Sequence, residues 1–187
     1  MRKLFLGVIC SLLFAACNNE KKDDATSPAT TAAPASDTKS NGDELLPMSE
    51  ADGAKASYAA FAKGDIDGMT ADYDDNILYT WSGGDSLRGK KAVADYYKGR
   101  WELIKSLSFT DHIVLPIKVK VQQSPAAPLG KWVLHWAMVH VEYKNGKKLN
   151  FWVHNVNHYN DAGKVDFVGQ YLDRNPLIEA TKDLMPK

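Results

Sequence analysis

Three histidines, His135, His154 and His158, fall on stretches of alternating apolar residues, and an aspartate, Asp173, closes a third such stretch. Imidazoles and a carboxylate within reach of one another could move a proton, and imidazoles at a fitting spacing could hold a metal. The spacing speaks against a metal: His154 and His158 are four residues apart, which gathers ligands on a helix but spreads them by ~13 Å along a strand. His135 and His154 could pair across a ladder, yet no carboxylate stands near them, so no metal and no cofactor is expected. Asp173-Arg174-Asn175-Pro176 also reads as a strand end running into a helix-capping turn, with the carboxylate accepting backbone N–H groups. Both cysteines, Cys10 and Cys17, precede the region that can fold, which leaves the domain no disulfide, thiolate metal site or cysteine nucleophile. The 23 acidic residues balance the 23 basic ones and no basic block is interleaved with aromatics, so nucleic acid is not an expected partner.

Cys17 carries a different chemistry. Arg2 and Lys3 precede an apolar run over residues 4–16, broken by nothing more polar than Cys10 and Ser11. That is a signal-peptide core, too short for a bilayer ~30 Å thick. It ends in Phe14-Ala15-Ala16-Cys17, which resembles the lipobox of bacterial lipoproteins, where the cysteine thiol is diacylated and becomes the first mature residue. The reading is a signal peptide over 1–16, a lipidated flexible tether over 17–43 and a domain over 44–187. The membrane would be a partner through the lipid on Cys17. Asn18 after the cysteine resembles outer-membrane sorting, which places the chain in the cell envelope, on the periplasmic side or the cell surface. The tether follows from composition: from Asn18 to Gly42 there is no aromatic residue, too little apolar surface to offset ordering entropy.

The elements that must position the histidines follow from periodicity. Ala51, Ala54, Tyr58 and Phe61 fall at helical spacing after a candidate cap at Ser49, and Gly64 stops that helix. Asp65 caps a second short helix with Met69 and Tyr73. Residues 76–81 form a first strand closed by Ser82-Gly83-Gly84-Asp85, and residues 90–105 a third helix with Val93, Tyr97, Trp101 and Ile104 on one face. Strands follow over 109–121, with Pro116 marking an edge or a bulge, over 131–143, 148–159 and 165–173, and then a short C-terminal helix. Asn145-Gly146 between two strands signals a tight hairpin. With these two as the central turn residues, Glu142 faces Leu149, Val139 faces Trp152 and His135 faces Val156. His135, Ala137, Val139 and Val141 then share a face with Trp152, His154, Val156 and His158. Helices first and an antiparallel meander after them indicate an α+β domain.

An amphipathic helix ending in Lys63-Gly64-Asp65, the segment Leu87-Arg88-Gly89-Lys90-Lys91-Ala92-Val93, the central hairpin, and Gly163-Lys164-Val165 leading to Tyr171-Leu172-Asp173 together resemble the SnoaL-like branch of the nuclear transport factor 2-like (NTF2-like) superfamily. The resemblance implies a cone-shaped NTF2-like (cystatin-like) half-barrel, a curved antiparallel sheet packed against three N-terminal helices, and a homodimer formed through the outer sheet face. In SnoaL-like cyclases an Asp at the end of the last strand and a His on the preceding strand act in the pocket, and Asp173 and His158 match those positions if one extra residue is allowed before Gly163. The match would turn His135, Trp152, His154, Phe167 and Tyr171 inward with them, beside Tyr73, Trp81 and Trp101. Asp173 would be general acid or base and His158 its partner. The fold hosts many functions, so three readings stand: binding of a small apolar molecule or partner, an isomerase, cyclase or dehydratase using Asp173 and His158, and a structural dimerising module.

Overall fold

The computed structural model describes residues 42–122 and 124–185. The expected signal peptide over 1–16 and most of the expected tether over 17–43, Cys17 included, therefore lie outside the described residues. The elements are β1 (Glu44–Leu45), a 3-10 turn (Met48–Ala51), α1 (Asp52–Ala62), α2 (Ile66–Met69), β2 (Tyr73–Trp81), β3 (Ser86–Arg88), α3 (Lys90–Trp101), β4 (Ile104–Val119), β5 (Gly130–Tyr143), β6 (Lys148–Tyr159), β7 (Val165–Tyr171) and α4 (Asn175–Thr181). The strands make one curved sheet in the order β1-β4-β5-β6-β7-β2-β3. It is an α+β half-barrel with the helices against its concave face. Every pairing is antiparallel except β2 with β7, which run parallel, so the sheet is not the wholly antiparallel one expected.

Local chemistry accounts for most element ends. Asp65 caps α2 by accepting the Gly68 N–H at 2.8 Å. Ser49 makes no cap; α1 grows out of the 3-10 turn with Ala51 and Ala54 buried, small residues that let its backbone lie close to the sheet. Gly64, at φ 77°, ends the helical run, and the Trp101 indole lies against it where a side chain would otherwise stand. β4 is nearly an edge, with only the two residues of β1 outside it, which is the place Pro116 tolerates. Its bulge lies elsewhere, between Thr110 and Ile113, where Asp111 takes a left-handed φ of 51°. An extra residue bends a strand and strengthens its twist. Further irregularities in β2, β4 and β6 curl the sheet around the helices.

The hairpin departs from the two-residue turn. Tyr143 faces Lys147, its N–H donating to the Lys147 carbonyl at 2.8 Å, and Lys144, Asn145 and Gly146 form a three-residue loop with Gly146 at φ 84°. This is the loop that combines a turn with a left-handed glycine. The register moves by one: Glu142 faces Lys148, Val139 faces Phe151 and His135 faces Asn155. Because strand side chains alternate, β6 shows the opposite face to the one expected. Val153, Asn155 and Asn157 are buried with His135, Ala137, Val139 and Val141, while Trp152, His154 and His158 belong to the convex side with Trp132 and Trp136.

Two glycines separate steric from backbone effects. Gly64→Ala should lower the unfolding free energy by roughly 2–3 kcal/mol, the left-handed backbone cost plus a clash with Trp101. Gly146→Ala, with nothing near its missing side chain, should lose roughly 1 kcal/mol, the backbone cost alone. Urea denaturation measures both, and equal losses would contradict the packing of Trp101 on Gly64.

Candidate functional site

The concave face of the sheet and the helices over it enclose a cavity of about 140 Å³. Its apolar wall is Phe61 of α1, Met69 of α2, Phe109 of β4, Val139 and Val141 of β5, and Phe151 and Val153 of β6, and Leu177 and Ile178 of α4 close one end. The outward-leaning side chains at that end include Ile178, 52% exposed.

Tyrosines supply most of its polar groups. Tyr79 of β2 and Tyr97 of α3 share a hydrogen bond of 2.6 Å between their hydroxyls. Tyr97 also donates to Gln170 Oε1 at 3.3 Å, and Trp81 Nε1 donates to the same oxygen at 2.9 Å. Burial pushes the hydroxyls of Tyr58, Tyr73, Tyr79 and Tyr97 far above the ordinary tyrosine value, so they remain neutral. Tyr143 is raised by burial too, with the Arg100 guanidinium pulling the other way. Arg174 holds Asp85 in an ion pair and lies 5.3 Å from the centre of the Trp81 ring. That bond keeps the Asp85 carboxyl below its usual range. Two polar atoms of lining residues, Tyr58 Oη and Asn155 Oδ1, are buried without a hydrogen-bond partner among the described residues.

The expected site residues divide. Tyr73 and Trp81 line the cavity. Trp101 does not; it packs on Gly64 and, at 5.8 Å between ring centres, on Phe61. His135 points inward but sits behind the cavity, its ring 4.1 Å from that of Tyr58 and its Nε2 2.8 Å from His112 Nδ1. Trp152, His154, Phe167 and Tyr171 are on the convex face, where His154 stacks on Trp136 at 4.1 Å and on Tyr171 at 5.6 Å. Phe167 meets Trp132 edge to face there. His158 and Asp173 do not meet. His158 bonds Asp166 at 2.5 Å and the Leu129 carbonyl at 3.0 Å, both outside the cone. It faces Phe167 on β7, six residues and hence ~20 Å short of Asp173. Asp173 is exposed and accepts the Asn175 N–H at 3.0 Å, the capping turn its sequence also suggested. The register of the hairpin turns Trp152, His154 and His158 outward, whereas Trp101 is drawn away by its packing on Gly64 and Asp173 by its distance along the chain from Phe167.

Tyr79, Gln170, Arg100 and Asn155 also line the cavity and were not expected there. A signal was present: Arg100 lies three and four residues beyond Tyr97 and Tyr96 on one face of α3, and Gln170 shares a face of β7 with the buried Val168 two residues before it.

A family model described as a SnoaL-like domain matches residues 54–167. The chain belongs to the SnoaL-like family. No curated protein sequence matches it. Among solved structures it is similar to a polyketide cyclase candidate from Xanthomonas campestris pv. campestris, with 18% identity, TM-score 0.56, and 70% of this chain and 95% of that one covered. It is similar as well to an LEH-like epoxide hydrolase from M. tuberculosis, with 18% identity, TM-score 0.53, and 72% and 91% covered. A third is TerC, co-crystallized with polyporic acid, with 14% identity, TM-score 0.52, and 71% and 98% covered. At these identities the likeness is one of fold.

His135 makes the domain sensitive to acid. Burial, then the neighbouring His112 and Lys55, push its imidazole down from 6.5 to about 4. Between those values the unfolded chain takes up a proton that the folded one refuses, so stability is whole above about pH 6.5 and falls as the pH drops toward about 4. The loss across that window should be on the order of 2–3 kcal/mol. Urea denaturation at a series of pH values should show His135→Gln losing that much less than the wild type on acidification. An identical pH slope in both would contradict the buried neutral imidazole.

Proposed function

We propose that this chain is an exported, lipid-anchored binding protein whose cone takes up a small apolar molecule. The carrying observation is the lining of the cavity: tyrosines, aliphatic and aromatic side chains, Gln170, Asn155 and two arginines, with no carboxylate and no imidazole among the described residues. Ligand sites are built in this way, mostly apolar with a few convergent polar groups. Acid–base catalysis needs a proton acceptor within hydrogen-bond reach of the substrate, and the buried tyrosine hydroxyls, held neutral, do not supply one. The alternative of an isomerase, cyclase or dehydratase working through Asp173 and His158 has no support in their positions, which are at opposite ends of β7 and outside the cone. The polyketide and polyporic acid chemistry attached to proteins of the same fold favours a ligand built on carbon rings.

Native mass spectrometry of the protein purified from its own host under mild conditions should detect a small organic molecule bound at one per domain. Val139→Trp, which fills the cavity, should abolish that adduct while leaving a cooperative thermal transition. An adduct that survives Val139→Trp would place the ligand elsewhere and overturn this reading.

Anchoring rests on Arg2, Lys3, the apolar run after them and the Ala15-Ala16-Cys17 junction. A diacylated Cys17 would hold the domain at the envelope membrane on the tether that follows, so that ligand capture happens at a surface. Cells fed radiolabelled palmitate should label the wild type, and Cys17→Ser should carry no label and leave the membrane fraction. Label retained by Cys17→Ser would refute the anchor.

A further inference from the structure

The polar groups of the cone are unbalanced in sign. Arg100, in the last turn of α3, and Arg174, between β7 and α4, both line it, and among the described residues no aspartate or glutamate does. Arg174 already has a counter-charge in Asp85. Lys98, in the same helical turn as Arg100, has one as well, reaching Asp67 at 3.0 Å on the outside. Arg100 is different. Its guanidinium lies against the Tyr143 hydroxyl and forms no ion pair among the described residues. Half-buried and without a counter-charge among these residues, it keeps N–H donors for an anion that enters the cone.

The neutral polar groups point the same way. Gln170 Oε1 is held by Trp81 and Tyr97. This fixes the orientation of the amide and leaves its Nε2, a donor, without a partner among the described residues. The Tyr79 and Tyr97 hydroxyls are neutral donors or acceptors toward each other. Asn155 Oδ1 leaves one acceptor open in the wall, and around Arg100 and Gln170 what the cavity asks of a ligand is acceptor oxygens and negative charge. What its volume of about 140 Å³ allows is modest. A dry apolar cavity of about 150 Å³ takes one benzene ring.

Resting on the binding reading above, we propose that the ligand is a ring-bearing organic acid, its single ring against Val139, Val141 and Phe151 and its carboxylate on Arg100. Arginine suits this role because its planar fork meets a carboxylate through two parallel hydrogen bonds. Arg100 thus decides between an acid and its neutral isostere, and the apolar wall decides that a ring is taken at all.

Calorimetric titration of the full chain with 3-phenylpropionate and, separately, with the neutral 3-phenylpropionamide tests this. The acid should bind at least roughly tenfold more tightly, the worth of a charge-assisted pair. Arg100→Gln should bring the acid-to-amide ratio close to one, and Arg100→Lys should keep part of the preference. Wild-type protein alone already decides, should either variant fail to fold. Equal affinity for acid and amide would overturn the proposal and leave the cone as a site for neutral apolar ligands. Failure of both compounds to bind at millimolar concentration would overturn the proposal, whereas the binding reading falls only with the native mass spectrometry of Val139→Trp.

Discussion

The left-handed backbone at Gly146 governs the site. Gly146 is left-handed at φ 84° and Asn145 is not, so the chain between β5 and β6 reverses over three residues and not through the two-residue turn that needs both left-handed, and every pair between these two strands inherits that register. Strand side chains alternate with a period of two, so this loop chooses which row of β6 looks into the cone. The row chosen is Phe151, Val153 and Asn155, and the row of Trp152, His154 and His158 goes to the convex side. The neighbouring turn residue does a second job. Asn145 donates to the Ala180 carbonyl and to Asp183, each at 2.8 Å, tying the end of α4 to the hairpin. α4 in turn contributes Leu177 and Ile178 to the cavity wall, so one tight loop sets both a wall of the cone and the position of its cover.

A cavity survives here because the surrounding aromatic rings brace one another. Tyr79, Trp81, Tyr96 and Tyr97 form a run of ring contacts with centre separations between 4.9 and 5.7 Å. The Tyr79 and Tyr97 hydroxyls and the Trp81 N–H are spent on Gln170 and on each other. Rigid rings with satisfied hydroxyls resist collapse into the space they enclose, which keeps an apolar hollow open in the free protein. Behind it the His112–His135 contact fills a different need: the β4 bulge throws His112 against a buried imidazole whose Nδ1 has no partner. That is a cost the domain bears at neutral pH and feels more sharply in acid.

Much of the fold was legible because it is written in local periodicity. The helical spacing of Ala51, Ala54 and Tyr58, the cap at Asp65 and the alternation of β5 and β6 each follow from short-range rules, and β6 runs over the residues that its pattern indicates. The strand β3 was not legible, being three residues long, nor was the parallel pairing of β2 with β7, which joins segments far apart in sequence. The site was half legible. Tyr73 and Trp81 line the cavity as expected, but Tyr73 does so from the first residue of β2 and not from the second helix to which its spacing assigned it. The histidines were misplaced because Asn-Gly supports a two-residue or a three-residue reversal, and the two differ in whether Asn145 is left-handed, which an asparagine allows either way.

The site depends on an open apolar cone on the face of β5 that carries Val139 and Val141. A crystal of the protein pressurised with xenon tests it most directly, because xenon enters dry apolar cavities without needing a recognised ligand. The expected result is a xenon site between Val139, Val141, Phe151 and Tyr97. Xenon found only on the convex face near Trp152 and Val156, with side chains filling the cone, would contradict it.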